Sequence, residues 1–209
     1  MTTKGKFVLV EGPDGSGKST LVEGLVARAI EQGVAACRMG FPRRVGPGKL
    51  IRDAFDGAPL AAKSMLWLLI ADALDAEEEI ETKLDAGMWV FADRHPMVSM
   101  RVYQRTLWSP AAITRVLDIA NFRIPDRCIF LELNAQTALT RREARGEARN
   151  TFFEPEEVVG QERLNALYRE IAGQLADTWR LIPGELFAVD ANRSALEVLG
   201  DVYAKLGLP

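Results

Sequence analysis

Gly12-Pro13-Asp14-Gly15-Ser16-Gly17-Lys18-Ser19-Thr20 follows directly on the apolar run Phe7-Val8-Leu9-Val10-Glu11, and this stretch decides the fold. It fits the pattern G-x-x-x-x-G-K-[ST], whose chance occurrence in a chain this long is on the order of one in a hundred at ordinary glycine usage. The apolar run reads as a strand buried on both faces. Leu21, Leu25, Val26, Ala29 and Ile30 then share one helical stripe, with Gly33 as the stop signal. Strand, glycine-rich turn and helix in that order make an anion cradle. Glycines allow a tight turn whose N–H groups point inward, and the helix that follows presents its free N–H groups and positive dipole end to the same anion. Lys18 would reach the β- and γ-phosphates of a nucleoside triphosphate, and the Ser19 hydroxyl is placed to ligate Mg²⁺. Gly12, Asp14, Gly15, Ser16, Gly17, Lys18, Ser19 and Thr20 are therefore candidate ATP-binding residues, with Lys18 also a catalytic candidate.

Outward from this stretch, strands and helices alternate. Strand-like runs lie at 34–39, 88–92, 127–133 and 186–189. Helical patterns lie at 49–56, 60–85, 97–107, 110–121, 135–145, 156–181 and from Ser194, a capping residue, to 206. The order predicts an α/β fold: a central, mainly parallel five-stranded sheet flanked by helices in three layers. Neither a linker nor an internal repeat interrupts it, so residues 1–209 read as one domain.

Composition narrows the partners. A net charge of -3 gives no global basic field for a nucleic acid polymer or an anionic membrane. No uninterrupted apolar run reaches the ~18 residues of a membrane span. Cys37 and Cys128 sit in strand-like runs and read as buried thiols of a reducing compartment. Residues 1–6 are too short for a signal peptide, so a cytoplasmic location is expected.

Met88-Trp89-Val90-Phe91-Ala92 leads into Asp93-Arg94-His95. A carboxylate at the C-terminal end of a buried strand stands on the rim of an α/β sheet, where ligands bind. Asp93 is a second candidate for Mg²⁺, and Arg94 a candidate for a bidentate hold on a phosphate. Arg141, Arg142 and Arg145 follow at helical spacing, with Arg149 beyond; a lid at about 141–155 would bring arginine to the transferring group, Arg141 and Arg145 sharing one face. Phe41-Pro42-Arg43-Arg44 offers arginines to an acceptor's own phosphate.

Taken together these residues resemble the thymidylate kinase family over almost the whole chain. The matching motifs are the phosphate loop with its preceding Glu11-Gly12, Phe41-Pro42-x-Arg44 with Gly48-Lys49-Leu50-Ile51-Arg52, and Asp93-Arg94-His95-x-x-x-Ser99-x-x-x-Tyr103-Gln104. Pro125-Asp126 and the arginine-rich stretch complete the match. The resemblance implies transfer from ATP to dTMP, giving ADP and dTDP, with Mg²⁺, in a homodimer. It places Asp14 by the acceptor sugar, Arg44 and Arg94 on the acceptor phosphate, Tyr103 under the deoxyribose, and Phe41, Ser99 and Gln104 around the acceptor. Lid arginines would replace the basic residue that some members carry where Gly15 stands. One position departs: the arginine expected in the helix before the Asp-Arg strand falls at Asp72 or Ala73, and a carboxylate there would repel a monophosphate.

Two other readings stay open on sequence alone. One is a kinase for a modified pyrimidine deoxynucleotide or a deoxynucleoside, which the missing helix arginine would suit. The other is a non-catalytic nucleotide-binding module, against which Lys18, Ser19 and Asp93 speak.

Overall fold

The computed structural model describes residues 4–55, 57, 60–103, 105, 107–144, 157–179, 181 and 184–208. Five strands form the sheet: β1 (Phe7–Glu11), β2 (Ala36–Gly40), β3 (Trp89–Asp93), β4 (Arg127–Glu132) and β5 (Leu186–Asp190). The helices are α1 (Lys18–Glu31), α2 (Gly46–Phe55), α3 (Ala62–Asp85), α4 (Pro96–Tyr103), α5 (Pro110–Ala120), α6 (Ala135–Ala144), α7 (Val158–Thr178) and α8 (Ala195–Leu206). The strand order is β2-β3-β1-β4-β5. Every pairing is parallel, with Val10 beside Asp93 and Glu11 beside Phe130.

The period of two along each strand builds two cores. Phe7 and Leu9 of β1 join Val90, Ala92, Cys128 and Phe130 under α3, α4, α5 and α7. Val8 and Val10 face the other way with Phe91, Ile129 and Leu131, under α1 and α8. All five residues of β1 are fully buried, which is why that strand reads as an unbroken apolar run. Each large side chain buried this way contributes about 1.5–3 kcal/mol. The three-layer architecture is the one the alternation of elements predicts.

Element ends differ from the sequence reading in explicable ways. α2 begins at Gly46, inside a stretch read as loop, because its glycine and proline mark a first helical turn rather than a break. β2 begins at Ala36, after Val34 closes the end of α1 by donating its N–H to Ala29 O at 2.9 Å. α4 ends at Tyr103, short of the expected 107. Cys128 is buried, but Cys37 is only half-buried because β2 is an edge strand. Ser194 caps α8 in a full capping box with Glu197. No helix among the described residues is long and apolar enough to cross a membrane.

The parallel sheet turns the C-terminal ends of β1 and β3 to the same edge. The loops that follow them, 12–17 and 94–95, therefore meet there.

Candidate functional site

The loop after β1 is shaped by its glycines. Gly12, Gly15 and Gly17 have φ of 148°, 83° and 89°. A Cβ on Gly15 would lie 2.7 Å from the carbonyl oxygen of Ala138, so the loop packs against the backbone of α6 and has no room for a side chain. Gly17 caps α1 in the left-handed region, and no side chain caps that helix. The first turn holds no acidic residue, so its N–H groups and dipole end face the loop uncompensated. Ser16 Oγ is buried without a hydrogen-bond partner among the described residues. Lys18 Nζ donates to the carbonyls of Gly12 (2.9 Å) and Pro13 (2.8 Å) and lies 3.6 Å from Asp14 Oδ1. An ammonium held by two loop carbonyls is poised over the space the loop encloses.

Ser19 reaches sideways from the first turn of α1. Its hydroxyl donates to Asp93 Oδ2 at 2.6 Å, joining the start of α1 to the end of β3. The two candidate metal ligands, 74 residues apart in sequence, are thus adjacent. They form a pair of hard oxygen donors, a fit for Mg²⁺. Among the described residues no group of three or more His, Cys, Asp or Glu could hold a metal ion. A divalent cation here would therefore need phosphate oxygens and water to complete its shell.

Arg94 follows β3 with φ 71°, a left-handed conformation costly for a residue with a side chain. Its N–H donates to Val10 O at 3.0 Å, anchoring the turn to β1. The guanidinium turns back across the sheet edge, donating to Asp14 Oδ1, to Tyr168 Oη at 2.9 Å and to Tyr103 Oη at 3.3 Å. Burial would raise the Asp14 carboxyl, but Arg94 and Lys18 outweigh it and hold the group well below the usual carboxylate range. Behind them Glu11 is fully buried. Its Oε1 accepts the His95 N–H at 2.8 Å, and Oε2 lies 4.0 Å from Arg94. Burial pushes Glu11 up to about 7, against the pull of Arg94. His95 is buried between Phe41 and Phe122, its ring 4.9 Å and 5.2 Å from theirs, and burial lowers its pKa to about 3. The imidazole is neutral and part of the floor.

The remaining candidates divide. Ser99 and Tyr103 lie half-buried on α4, whose last residue, Tyr103, brings its hydroxyl to Arg94. Phe41 is almost fully buried against His95 and supports the floor from below. Arg44 is exposed beside it. Arg52 donates to Pro42 O and, at 3.2 Å, to Arg43 O, fixing the loop that carries them. Arg141 turns to the far side of the phosphate loop, donating to Ala191 O at 2.9 Å. There it lines a cavity of about 250 Å³ with Gly15, Gly17, Thr20 and Arg193. Gln104, Arg145 and the greater part of the expected lid lie outside the described residues.

The feared repulsion at the missing helix arginine does not arise. Asp72 is fully buried and its charge is met by Arg43, whose own backbone N–H also bonds to it at 2.9 Å. Two residues of the site, Arg38 and Tyr168, carried no clear sequence signal, and a third, Arg142, stood out only as a member of the arginine cluster. Arg38 on β2 donates to Asp93 Oδ2 at 2.9 Å, yet reads as one polar residue on an edge strand. Tyr168 sits on the buried stripe of α7, where an aromatic residue reads as core. Arg142 bonds to Gln161 Oε1 and, with Arg94 and Lys18, helps hold the Asp14 carboxyl low, which ties α6 to the phosphate loop.

A parallel five-stranded sheet with this glycine loop between β1 and α1, and a carboxylate from β3 beside the first helical serine, defines a phosphate-loop kinase fold. The thymidylate kinase family model matches residues 10–199. The chain is 28% identical over 196 residues to the thymidylate kinase of Leptospira interrogans serogroup Icterohaemorrhagiae serovar copenhageni, covering 92% of this chain and 89% of the relative. It is 29% identical over 197 residues to the thymidylate kinase of Leptospira borgpetersenii serovar Hardjo-bovis, with the same coverage. The chain belongs to the thymidylate kinase family and is a nucleoside monophosphate kinase.

Proposed function

We propose that the protein transfers the γ-phosphoryl group of ATP to dTMP, giving ADP and dTDP. The observation that carries this is the Asp14–Arg94–Tyr103 cluster standing next to the phosphate loop, so that acceptor and donor groups share one sheet edge. In this reading Lys18 leaves the Gly12 and Pro13 carbonyls for the β- and γ-phosphates, aided by the α1 amides. Ser19 and Asp93 would hold Mg²⁺, which when bound neutralises triphosphate charge. Arg94 and Arg44 hold the acceptor phosphate, Asp14 the sugar, and Tyr103 packs under the deoxyribose, with Ser99, Phe41 and Gln104 supporting. Arg141 serves the nucleoside end of ATP, lining the cavity beside Thr20, while Arg145 is proposed for the transferring group.

Transfer is direct and in line, with no covalent intermediate. Positioning and charge neutralisation supply the catalysis. His95, buried and neutral, takes no proton. A second reading, a modified pyrimidine deoxynucleotide as acceptor, is favoured by one observation: at Asp72 or Ala73, where the family resemblance leads one to expect an arginine, the chain offers the base no cation, and Asp72 is itself paired with Arg43. We further propose a single-domain protein, working in the cytoplasm as a homodimer, with the exposed Trp67, Leu74 and Ile119 of α3 and α5 available to a second copy.

A coupled ADP-release assay across nucleosides and monophosphates tests the assignment. Turnover with dTMP well above that with thymidine or ribonucleotides supports it. Turnover with thymidine alone would overturn it.

A further inference from the structure

Asp93 is a carboxylate with a side chain only 9% exposed, and it has a cation partner already. That partner is not its neighbour Arg94, whose left-handed backbone sends the guanidinium to Asp14. It is Arg38 of β2, whose Nη2 donates to Asp93 Oδ2 at 2.9 Å, the same oxygen that accepts from Ser19 at 2.6 Å. Arg38 Nη1 at the same time donates to Glu23 Oε1. Glu23 stands on α1 four residues after Ser19, one turn along the same face.

From this arrangement we infer that Arg38 is a placeholder cation, holding Asp93 Oδ2 until a divalent cation arrives with the nucleotide and then handing the carboxylate over. The inference rests on the proposed Ser19–Asp93 metal pair. Its physical basis is that a nearly buried carboxylate left without a counter-charge is destabilising, so Asp93 needs a cation beside it whenever no metal is bound. A guanidinium on the same oxygen as a doubly charged ion would be repelled, so the loaded site must expel it. The half-exposed stem of Arg38 is able to move, and Glu23, 62% exposed, retains Nη1 after Asp93 is released. Arg38 is thus a positioning residue that couples metal entry to nucleotide entry: metal alone competes with Arg38, whereas metal carried by a triphosphate brings further ligands to the exchange.

The test is Mn²⁺ binding, read by electron paramagnetic resonance, to the wild type, Arg38→Met and Asp93→Asn, each with and without ATP. The expected result is that Arg38→Met tightens binding of Mn²⁺ alone by about tenfold or more, the scale of one lost cation neighbour. Mg²⁺ without nucleotide should likewise raise the melting temperature of Arg38→Met and leave the wild type unmoved. Arg38→Lys, which keeps the charge, should behave as the wild type. Equal Mn²⁺ affinity in the wild type and Arg38→Met, with Asp93→Asn abolishing both, would overturn the inference and leave the kinase reading intact. ATP and Mn²⁺ binding that ignores Asp93→Asn would overturn the metal pair itself, and the inference with it.

Discussion

Arg43 Nε donates to Asp72 Oδ1 at 2.9 Å while the backbone N–H of the same arginine donates to Asp72 Oδ2, also at 2.9 Å. One carboxylate so fastens both the side chain and the main chain of the β2–α2 loop to α3, and Gly48 packs against the pair, its Cβ direction 2.5 Å from Arg43 N. Arg43→Ala leaves a buried, unmatched carboxylate. We expect a loss of about 3 kcal/mol or more in unfolding free energy, measured by urea denaturation. The double variant Arg43→Ala/Asp72→Asn should recover a large part of it. A loss no smaller in the double variant would contradict the pairing.

Arg94 serves the acceptor side in the proposed reading. Arg94→Ala should raise the acceptor KM and lower kcat by about 100-fold, the loss of a charge-assisted hold made in the transition state. ATP affinity by calorimetry should change little. Parallel loss of ATP binding would contradict the division of roles between Arg94 and Lys18.

Gly15→Ala meets two obstacles, a φ of 83° and the Ala138 carbonyl 2.7 Å from the new Cβ. The left-handed backbone alone costs about 1–2 kcal/mol. We expect lower thermal stability and strongly weakened ATP binding. Full ATP affinity would show that the loop can part from α6 without consequence.

Glu11 gives a pH signature. Its pKa is raised by burial from an ordinary 4.5 to about 7, so folding favours the protonated form. Its contribution is fully present below about pH 4.5 and is lost as pH rises through 7. The ionised form is thus destabilising by roughly 3 kcal/mol at pH 8. Glu11→Gln keeps an acceptor for the His95 N–H and should remove this slope, so the variant gains stability relative to wild type between pH 5 and pH 8. Parallel pH profiles from urea denaturation would refute that. Asp14 works the opposite way, supporting the fold above the usual carboxylate range and losing that support on acidification below about pH 4.

What could be read from the chain was whatever its chemistry wrote locally. The fully buried β1, the glycine loop, the apolar stripe of α1 and the Ser194 cap each announce themselves within a few residues, and the order of elements then leaves few topologies. Asp93 was legible because a strand ends on it. Long-range pairings were not. Arg43 and Asp72 lie 29 residues apart and Arg38 and Asp93 lie 55 apart; the first pair is fixed by how the β2–α2 loop meets α3 and the second by the pairing of β2 with β3, which no periodicity records. The expectation that Asp72 would repel an acceptor counted its charge without the arginine that meets it. Arg38 is silent for the same reason: on an edge strand a polar residue needs no explanation until its partner is seen.

The central claim is a transfer between two nucleotides, and phosphorus NMR follows it atom by atom. Purified protein with ATP, Mg²⁺ and dTMP should show the γ-resonance of ATP fall as the β-resonances of ADP and dTDP rise in equal amounts, with no such change for Lys18→Ala. Free phosphate in place of dTDP, or the same spectra from Lys18→Ala, would contradict it.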